Sequence, residues 1–276
     1  MTDKHVVITG GNVGIGFATA KLFKSKGYKV TIVGRSKDKL EAAQKHLENV
    51  DIGICDLSVI KSIDEYVKST APIDVLVNNA GVWLSEFKKS ELDQELTFAT
   101  NHLGTMYLTL ELMKHNKLTN NASIVVVSSD LHKKGVLDLE YFDKLNATNF
   151  NGMNSYSQSK LYNLLFALYL VNKYLPQHYA DKHFKVTSVH PGFIPTTELK
   201  RQTNFFISTL MDYVLPLMPF TTTVEDAANR ILTAVEDSES NGKYVGNKGY
   251  EETTELAKNE EYATELWKKS VSLLKL

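Results

Sequence analysis

A glycine-rich turn separates the first apolar strand of the chain from its first helix. The strand runs over 5–9, glycines follow at positions 10, 14 and 16, and an apolar helical pattern then continues to Gly27. Backbone N–H groups in such a turn can approach a pyrophosphate, and the positive end of the helix dipole favours its negative charge. The turn therefore predicts a dinucleotide site, with these contact residues: Gly10, Asn12, Gly14, Ile15 and Gly16.

The spacing of the glycines limits the class of dinucleotide-binding protein, and the size and composition of the chain limit its domain organisation. The spacing is G-x-x-x-G-x-G rather than the G-x-G-x-x-G of the long dehydrogenases, although turn glycines can also be simple breaks between elements. The length of 276 residues and the 43% hydrophobic content favour a single soluble α/β domain over 1–276. A net charge of -1 provides no basic field for nucleic acid.

A cation follows the second predicted strand, 28–33. Arg35 stands where an acidic side chain would recognise the ribose 2′-hydroxyl of NAD, and an arginine there accommodates the 2′-phosphate of NADP. We therefore expect NADP(H) as cofactor. NAD(H) stays open, because other loop residues can set the preference and Arg35 can be a solvated side chain.

The helix predicted from Asn154 to Tyr174 places a phenol beside an ammonium. Tyr156 and Lys160 are four residues apart and lie on one side of it. A nearby lysine favours the phenolate, so the pair indicates a tyrosine tuned for proton transfer. Two other pairs share this spacing without predicted chemistry: Tyr169 with Lys173, and Tyr244 with Lys248.

The same helix is apolar on two sides. Four leucines recur at helical spacing on one face, and a second stripe carries Tyr162, Phe166 and Tyr169. Such a helix requires burial on both sides. We expect the second stripe either to meet its symmetry mate in a homodimer or to lie beneath the amphipathic C-terminal segment, 254–274.

Small polar residues follow three more predicted strands, 73–77, 123–127 and 185–189. The carboxyl ends of parallel strands form the ligand-binding edge of such a sheet. The residues concerned are Asn78-Asn79-Ala80-Gly81, Ser128-Ser129 and Pro191-Gly192.

Further helices are predicted over 91–115 and 139–145. The first contains Asn101 and Gly104 against helix propensity, which marks a functional or closely packed position.

Residues 193–222 are aromatic and apolar without a strand–helix rhythm. We expect this segment to cover a substrate cleft, with an apolar lining from Trp83, Phe193, Ile194, Phe205 and Phe206.

No membrane or secretory segment is predicted. Residues 193–222 are interrupted by prolines and too short to cross a bilayer, and the N-terminus enters a strand without a signal peptide. A single cysteine, Cys55, fits a reducing compartment, so the expected location is the cytoplasm. No metal site is predicted.

These motifs, and the order in which they follow one another, resemble those of the short-chain dehydrogenase/reductase family. The resemblance spans about residues 5–245. The helix around 97–104 and the long gap from Ser129 to Tyr156 are similar to the retinol-dehydrogenase and WW-domain-oxidoreductase branch. The resemblance implies a single-domain, Rossmann-like, doubly wound parallel sheet. It has about seven strands in the order 3-2-1-4-5-6-7, with helices on both faces.

The resemblance also implies functional residues. A catalytic tetrad maps onto Asn101, Ser129, Tyr156 and Lys160, with Ser128 as the alternative serine. Cofactor contacts map onto Tyr156 and Lys160 and onto the following residues: Asp56 and Leu57 at the adenine, Asn78 and Ala80 at the central portion, and Gly192 and Thr196 at the nicotinamide.

The implied activity is NADP(H)-dependent interconversion of a carbonyl and an alcohol on a lipophilic, retinoid- or steroid-like substrate. Tyr156 would exchange the proton, Ser129 would bind the oxygen, Lys160 would lower the tyrosine pKa and hold the ribose, and Asn101 would anchor a water. The alternative is a catalytically silent NADP(H)-binding sensor of the same fold. Length and glycine spacing disfavour a sugar-nucleotide epimerase.

Overall fold

Eight strands form one sheet in the order β3-β2-β1-β4-β5-β6-β7-β8. The structure is a computed structural model that describes residues 4–194 and 221–276. The sheet is parallel from β3 to β7, and only β8 pairs antiparallel to its neighbour. The strands are β1 His5–Thr9, β2 Lys29–Gly34, β3 Asp51–Ile54, β4 Ile73–Asn78, β5 Leu118–Val127, β6 Lys185–Val189, β7 Tyr244–Gly246 and β8 Gly249–Tyr250. The predicted strand order is confirmed, and β8 is an unpredicted addition.

Helices cover both faces of the sheet, which is why its central strands are nearly continuous apolar runs. One core lies under α1 Gly14–Ser25, α2 Lys37–Leu47 and α8 Val224–Glu236. The other core lies under α3 Ile60–Ser69, α5 Gly104–Lys114, α6 Gly152–Tyr169 and α9 Glu260–Leu274. Short helices complete the described chain: α4 Leu96–Phe98 and α7 Leu175–His178. In the described ranges no helix is both long and apolar enough to span a membrane.

The helix predicted from position 91 begins later, because Glu95 caps it. The buried Glu95 carboxylate accepts hydrogen bonds from the Thr97 and Phe98 N–H groups at 2.8 and 2.9 Å. After α4 the chain widens into a π-helical turn, Ala99–Leu103, and then continues as α5. Gly104 opens α5 against the Leu57 carbonyl, 1.9 Å from where a Cβ would lie. The predicted close packing at this glycine is therefore present.

The helix predicted over 139–145 is wrong. This stretch forms irregular turns, in which the Tyr141 N–H bonds to the Asp138 carbonyl and the Lys144 N–H to the Glu140 carbonyl. The mixed three- and four-residue spacing of these bonds does not propagate a helix. A 3₁₀ turn, Asp130–Lys134, occurs earlier in the same connection.

The C-terminal helix α9 covers the aromatic stripe of α6. Trp267 stacks on Phe166 with ring centroids 6.0 Å apart, and on Tyr169 at 4.5 Å. Of the two alternatives for this stripe, burial beneath the C-terminal segment is the one observed. Phe166 is 2% exposed within the single chain.

Candidate active site

A cleft of about 380 Å³ follows the carboxyl ends of β1, β2, β4 and β5. It joins the glycine turn at one end to the first turns of α6 at the other. Eleven of the predicted site residues line it: Gly10, Asn12, Gly14, Ile15, Gly16, Arg35, Asp56, Leu57, Ala80, Tyr156 and Lys160. Residues from five separate elements are thereby brought to one edge of the sheet.

The glycine turn is packed too tightly for side chains at two positions. Gly10 has a φ of +66°, in the left-handed region, and a Cβ on Gly16 would lie 2.2 Å from the Gly10 carbonyl oxygen. Asn79 fixes the turn from the end of β4, since its amide nitrogen donates to the Thr9 carbonyl at 2.8 Å. Asn79 was missed as a site residue, although it stands next to the predicted Asn78.

Positive charge gathers at the end of β2. Arg35, Ser36 and Lys39 all line the cleft there, and no carboxylate takes the position directly after the strand. Lys39 was missed by the sequence analysis, although its spacing of four residues from Arg35 was available. Asp56 lies on the neighbouring strand end, where its carboxylate accepts a hydrogen bond from the Ser58 N–H at 2.9 Å.

The phenol of Tyr156 is more basic here than the sequence suggests. Burial raises its pKa to about 12, and a hydrogen bond with the Ser129 side chain acts in the opposite direction. The predicted lowering of the Tyr156 pKa by Lys160 is not seen. The Lys160 ammonium lies 5.4 Å from the centre of the Tyr156 ring and donates instead to the Val127 carbonyl at 2.9 Å.

Lys160 is buried with little to compensate its charge. Its side chain is almost fully enclosed, and burial lowers its pKa to about 8. Among the described residues the Val127 carbonyl is the one hydrogen-bond acceptor of its ammonium. The remaining N–H donors of Lys160, on the wall of the cleft, are available to hydroxyl groups of a ligand.

Asn101 supports the cleft from beneath. It lies within the π-helical turn, fully buried, and its side chain both accepts from the Val82 N–H at 2.7 Å and donates to the Val82 carbonyl at 3.0 Å. Its amide also donates to the Ser159 hydroxyl at 3.0 Å, so both amide hydrogens are used. The polar residue that opposed helix propensity therefore links the Val82 loop to α6.

The two serines at the end of β5 have different surroundings. The Ser128 hydroxyl donates to the Lys160 carbonyl at 2.9 Å and anchors α6. Ser129 caps the following 3₁₀ turn through a hydrogen bond from the Leu131 N–H at 3.2 Å, and its side chain is the one that reaches the phenol of Tyr156. This geometry favours Ser129 over Ser128 as the partner of the tyrosine.

Among the described residues, four of the predicted site residues do not line the cleft: Asn78, Gly192, Asn101 and Ser129. Asn78 is buried and donates to the Thr109 hydroxyl of α5 at 3.0 Å. Gly192, with a φ of +88°, follows Pro191, which does line the cleft. Thr196 lies outside the described residues, as do Phe205 and Phe206.

Backbone contacts join the described residues on either side of 195–220. Phe193 and Thr221 form a parallel bridge, and the Thr222 N–H donates to the Phe193 carbonyl at 2.9 Å. Phe193 is largely exposed and Ile194 is buried. Trp83 and Leu84 form an apolar wall of the cleft.

The sheet order, the glycine turn and the tyrosine–lysine pair together define a nicotinamide-dependent oxidoreductase fold, and the comparisons agree. A model of the short chain dehydrogenase family matches residues 4–205. The chain belongs to the short-chain dehydrogenase/reductase family.

Individual relatives support the branch named above. The chain is 31% identical to retinol dehydrogenase 13 of Homo sapiens over 99% of its own length and 85% of that protein. It is also 31% identical to the WW domain-containing oxidoreductase of Gallus gallus, over 100% of this chain and 69% of the relative. A crystal structure of an uncharacterized protein from Mycobacterium paratuberculosis superposes with a TM-score of 0.80 at 28% identity, covering 99% of this chain and 93% of the other.

Proposed function

We propose that this oxidoreductase uses NADP(H) to interconvert an aldehyde or ketone and the corresponding alcohol on a lipophilic substrate. One observation carries the proposal. Tyr156 and Lys160 line the cleft at the end opposite the glycine turn, and the Ser129 side chain hydrogen-bonds to the Tyr156 phenol.

The residues of the cleft fit a nicotinamide dinucleotide. The glycine turn lines the cleft at the N-terminus of α1 and suits a pyrophosphate, and the unused donors of Lys160 suit the ribose hydroxyls. The adenine is assigned to Asp56 and Leu57, the central portion of the cofactor to Asn78 and Ala80, and the nicotinamide to Gly192 and Thr196. When bound, the cofactor supplies the hydride exchange with the substrate carbon.

The preference for NADP(H) rests on charge. Arg35 and Lys39 place two cations, with the Ser36 hydroxyl, at the end of β2. A 2′-phosphate is a doubly charged group that such a cluster recognises, whereas an NAD enzyme usually carries an acid here.

Tyr156 exchanges the proton with the substrate oxygen. A phenol with a pKa of about 12 is fully protonated at neutral pH, so it is ready to donate to a carbonyl during reduction. Ser129 hydrogen-bonds to the same oxygen and so stabilises charge that develops there. In the oxidative direction the phenolate must be stabilised, and the Ser129 hydrogen bond, which already lowers the pKa of Tyr156, supplies that stabilisation. Asn101 holds the Val82 loop and α6 in place.

The lipophilic character of the substrate is supported by the apolar wall of Trp83 and Leu84 and by the similarity of the chain to retinol dehydrogenase 13. Apolar side chains orient such a substrate with few polar contacts. A small panel of retinal, a steroid ketone and a short-chain aldehyde separates this expectation from a polar substrate.

The central test is Tyr156→Phe, assayed by the decay of NADPH absorbance with that panel. We expect turnover to fall by about 10²–10⁴, while the Kd for NADPH from fluorescence titration changes little. Tyr169→Phe, at the same spacing from a lysine on the same helix, is the matched control. Full activity of Tyr156→Phe would remove this residue from the mechanism, and binding of NADPH without turnover of any carbonyl would favour the sensor function.

A further inference from the structure

Behind the active site, a buried aromatic residue of β7 lies between two histidines. Tyr244 stacks on His190 with ring centroids 5.8 Å apart and an angle of 21°, and it meets His132 edge to face at 5.5 Å. All three side chains are more than nine-tenths buried. Neither histidine was assigned a role in the chemistry above.

His132 holds the backbone of Ser129. Its Nδ1 lies 2.7 Å from the Ser129 carbonyl, and since a carbonyl can only accept, Nδ1 carries the hydrogen. The His132 N–H donates to the same carbonyl at 3.0 Å. The Tyr244 hydroxyl is 3.5 Å from Nδ1, too far for a firm hydrogen bond, so its contribution is packing.

His190 holds the backbone of Gly192 in the opposite sense. The Gly192 N–H donates to His190 Nδ1 at 3.0 Å, so this nitrogen is an acceptor and the ring hydrogen is on Nε2. Nε2 faces the Glu251 carboxylate at 3.9 Å. The guanidinium of Arg230 donates to the adjoining Pro191 carbonyl.

We propose that His132, Tyr244 and His190 form a positioning unit that fixes Ser129 and Gly192 relative to one another across the active site. The inference rests on the proposed function, because Ser129 and Gly192 are there assigned to the substrate oxygen and the nicotinamide end. Each histidine acts through one backbone hydrogen bond, and Tyr244 sets the separation of the two rings. The unit contacts neither substrate nor cofactor, so its members are positioning residues.

The two halves of the unit affect different kinetic constants. A displaced Ser129 weakens contact with the substrate oxygen, so His132→Leu is expected to lower kcat on the order of 10- to 100-fold with little change in the KM for NADPH. A displaced Gly192 disturbs the nicotinamide end, so His190→Leu is expected to raise the KM and the Kd for NADPH several-fold.

Asparagine variants separate positioning from simple core packing. The asparagine side chain can place a donor or an acceptor where histidine Nδ1 stands. His132→Asn is therefore expected to recover most of the loss in kcat, and His190→Asn most of the loss in NADPH affinity. They fill less of the core than leucine-sized groups and would not rescue a pure packing defect. His46→Leu, at an exposed histidine of α2, is the control.

The measurements are steady-state kinetics at saturating substrate, NADPH titration and thermal unfolding on all five variants. Equal kcat and KM in His132→Leu, His190→Leu and wild type would overturn the inference, and so would asparagine variants no better than leucine. If a leucine variant does not fold, the comparison of each asparagine variant with wild type decides in the same way. An inactive wild type would overturn the proposed function instead, and the NADPH affinity of His190→Leu would still test this unit.

Discussion

Individual glycines in the cleft differ sharply in how much a methyl group would disturb them. At Gly16 the methyl would meet a backbone oxygen at 2.2 Å, which cannot move without the whole turn. At Gly34, in the same cleft, the nearest atom would be 3.4 Å away, an ordinary contact. Sequence spacing identifies Gly16 as a turn glycine, but it does not show how closely either glycine is packed.

We expect Gly16→Ala to weaken NADPH binding far more than Gly34→Ala. The added methyl forces the Gly10 carbonyl away and deforms the pyrophosphate cradle, for a loss on the order of 10²-fold in affinity. Fluorescence titration with NADPH measures it. Equal affinities of the two variants would show that the turn adapts without cost.

The basic cluster at the end of β2 gives a second prediction at this scale. The double variant Arg35→Ala, Lys39→Ala removes both cations that face the proposed 2′-phosphate. Because charged hydrogen bonds to phosphate contribute about 1.5–3 kcal/mol each, the Kd for NADPH should rise at least tenfold while that for NADH changes little. A parallel rise in both values would contradict the assignment of NADP(H).

At the scale of elements, helix α9 packs against α6 and supports it. Trp267 of α9 stacks against Phe166, Tyr169 and Tyr174. His102, in the π-helical turn, reaches α9 through a 3.0 Å contact with the Ser270 hydroxyl. The element that carries the tyrosine and lysine is thus supported by the last helix of the chain.

Trp267→Ala should therefore destabilise the fold by about 3–5 kcal/mol, the usual cost of removing a large buried aromatic side chain. Urea denaturation measures it, with Lys268→Ala as the control because the Lys268–Glu265 ion pair is exposed and such pairs add little stability. Equal unfolding midpoints for the two variants would show that α9 packs only loosely on α6.

Element boundaries show where sequence reasoning succeeds and where it stops. The sequence pattern predicts helices over 60–69 and 224–236, and α3 and α8 begin and end at these residues, because their apolar periodicity is uninterrupted. The start of the helix predicted at position 91 was misplaced because Glu95 provides a cap that only the fold reveals. Asn101 was correctly identified as anomalous, but the π-helical turn that accommodates it requires the Val82 loop, which is distant in sequence.

At the scale of the molecule, strand order and the position of the cleft followed from the order of the motifs, because parallel α/β connections restrict the topology. The raised pKa of Tyr156 could not be predicted from the sequence, since the burial that raises it depends on all the residues packed around the phenol. The ring contacts among His132, Tyr244 and His190 join three separate parts of the chain and have no local signal in the sequence.

Acid should destabilise the whole fold through His102. Burial lowers its pKa to about 3, while the unfolded chain titrates near 6.5. Between these values the unfolded state binds the proton that the folded state excludes, so the free energy of unfolding falls as pH decreases below about 6.5, by up to about 1.4 kcal/mol per pH unit. His102→Phe should have a shallower slope in urea denaturation at pH 7, 6 and 5. Identical slopes would assign the acid sensitivity to other groups.

The bridge between Phe193 and Thr221 has an evolutionary consequence. The backbone departs from the end of β6 and returns beside its point of departure, so an insert of any length can be carried there without altering strand register. The entropic cost of lengthening such an excursion grows only logarithmically. Chimeras that exchange residues 195–220 with those of a relative should keep the folding of the host, as measured by thermal unfolding.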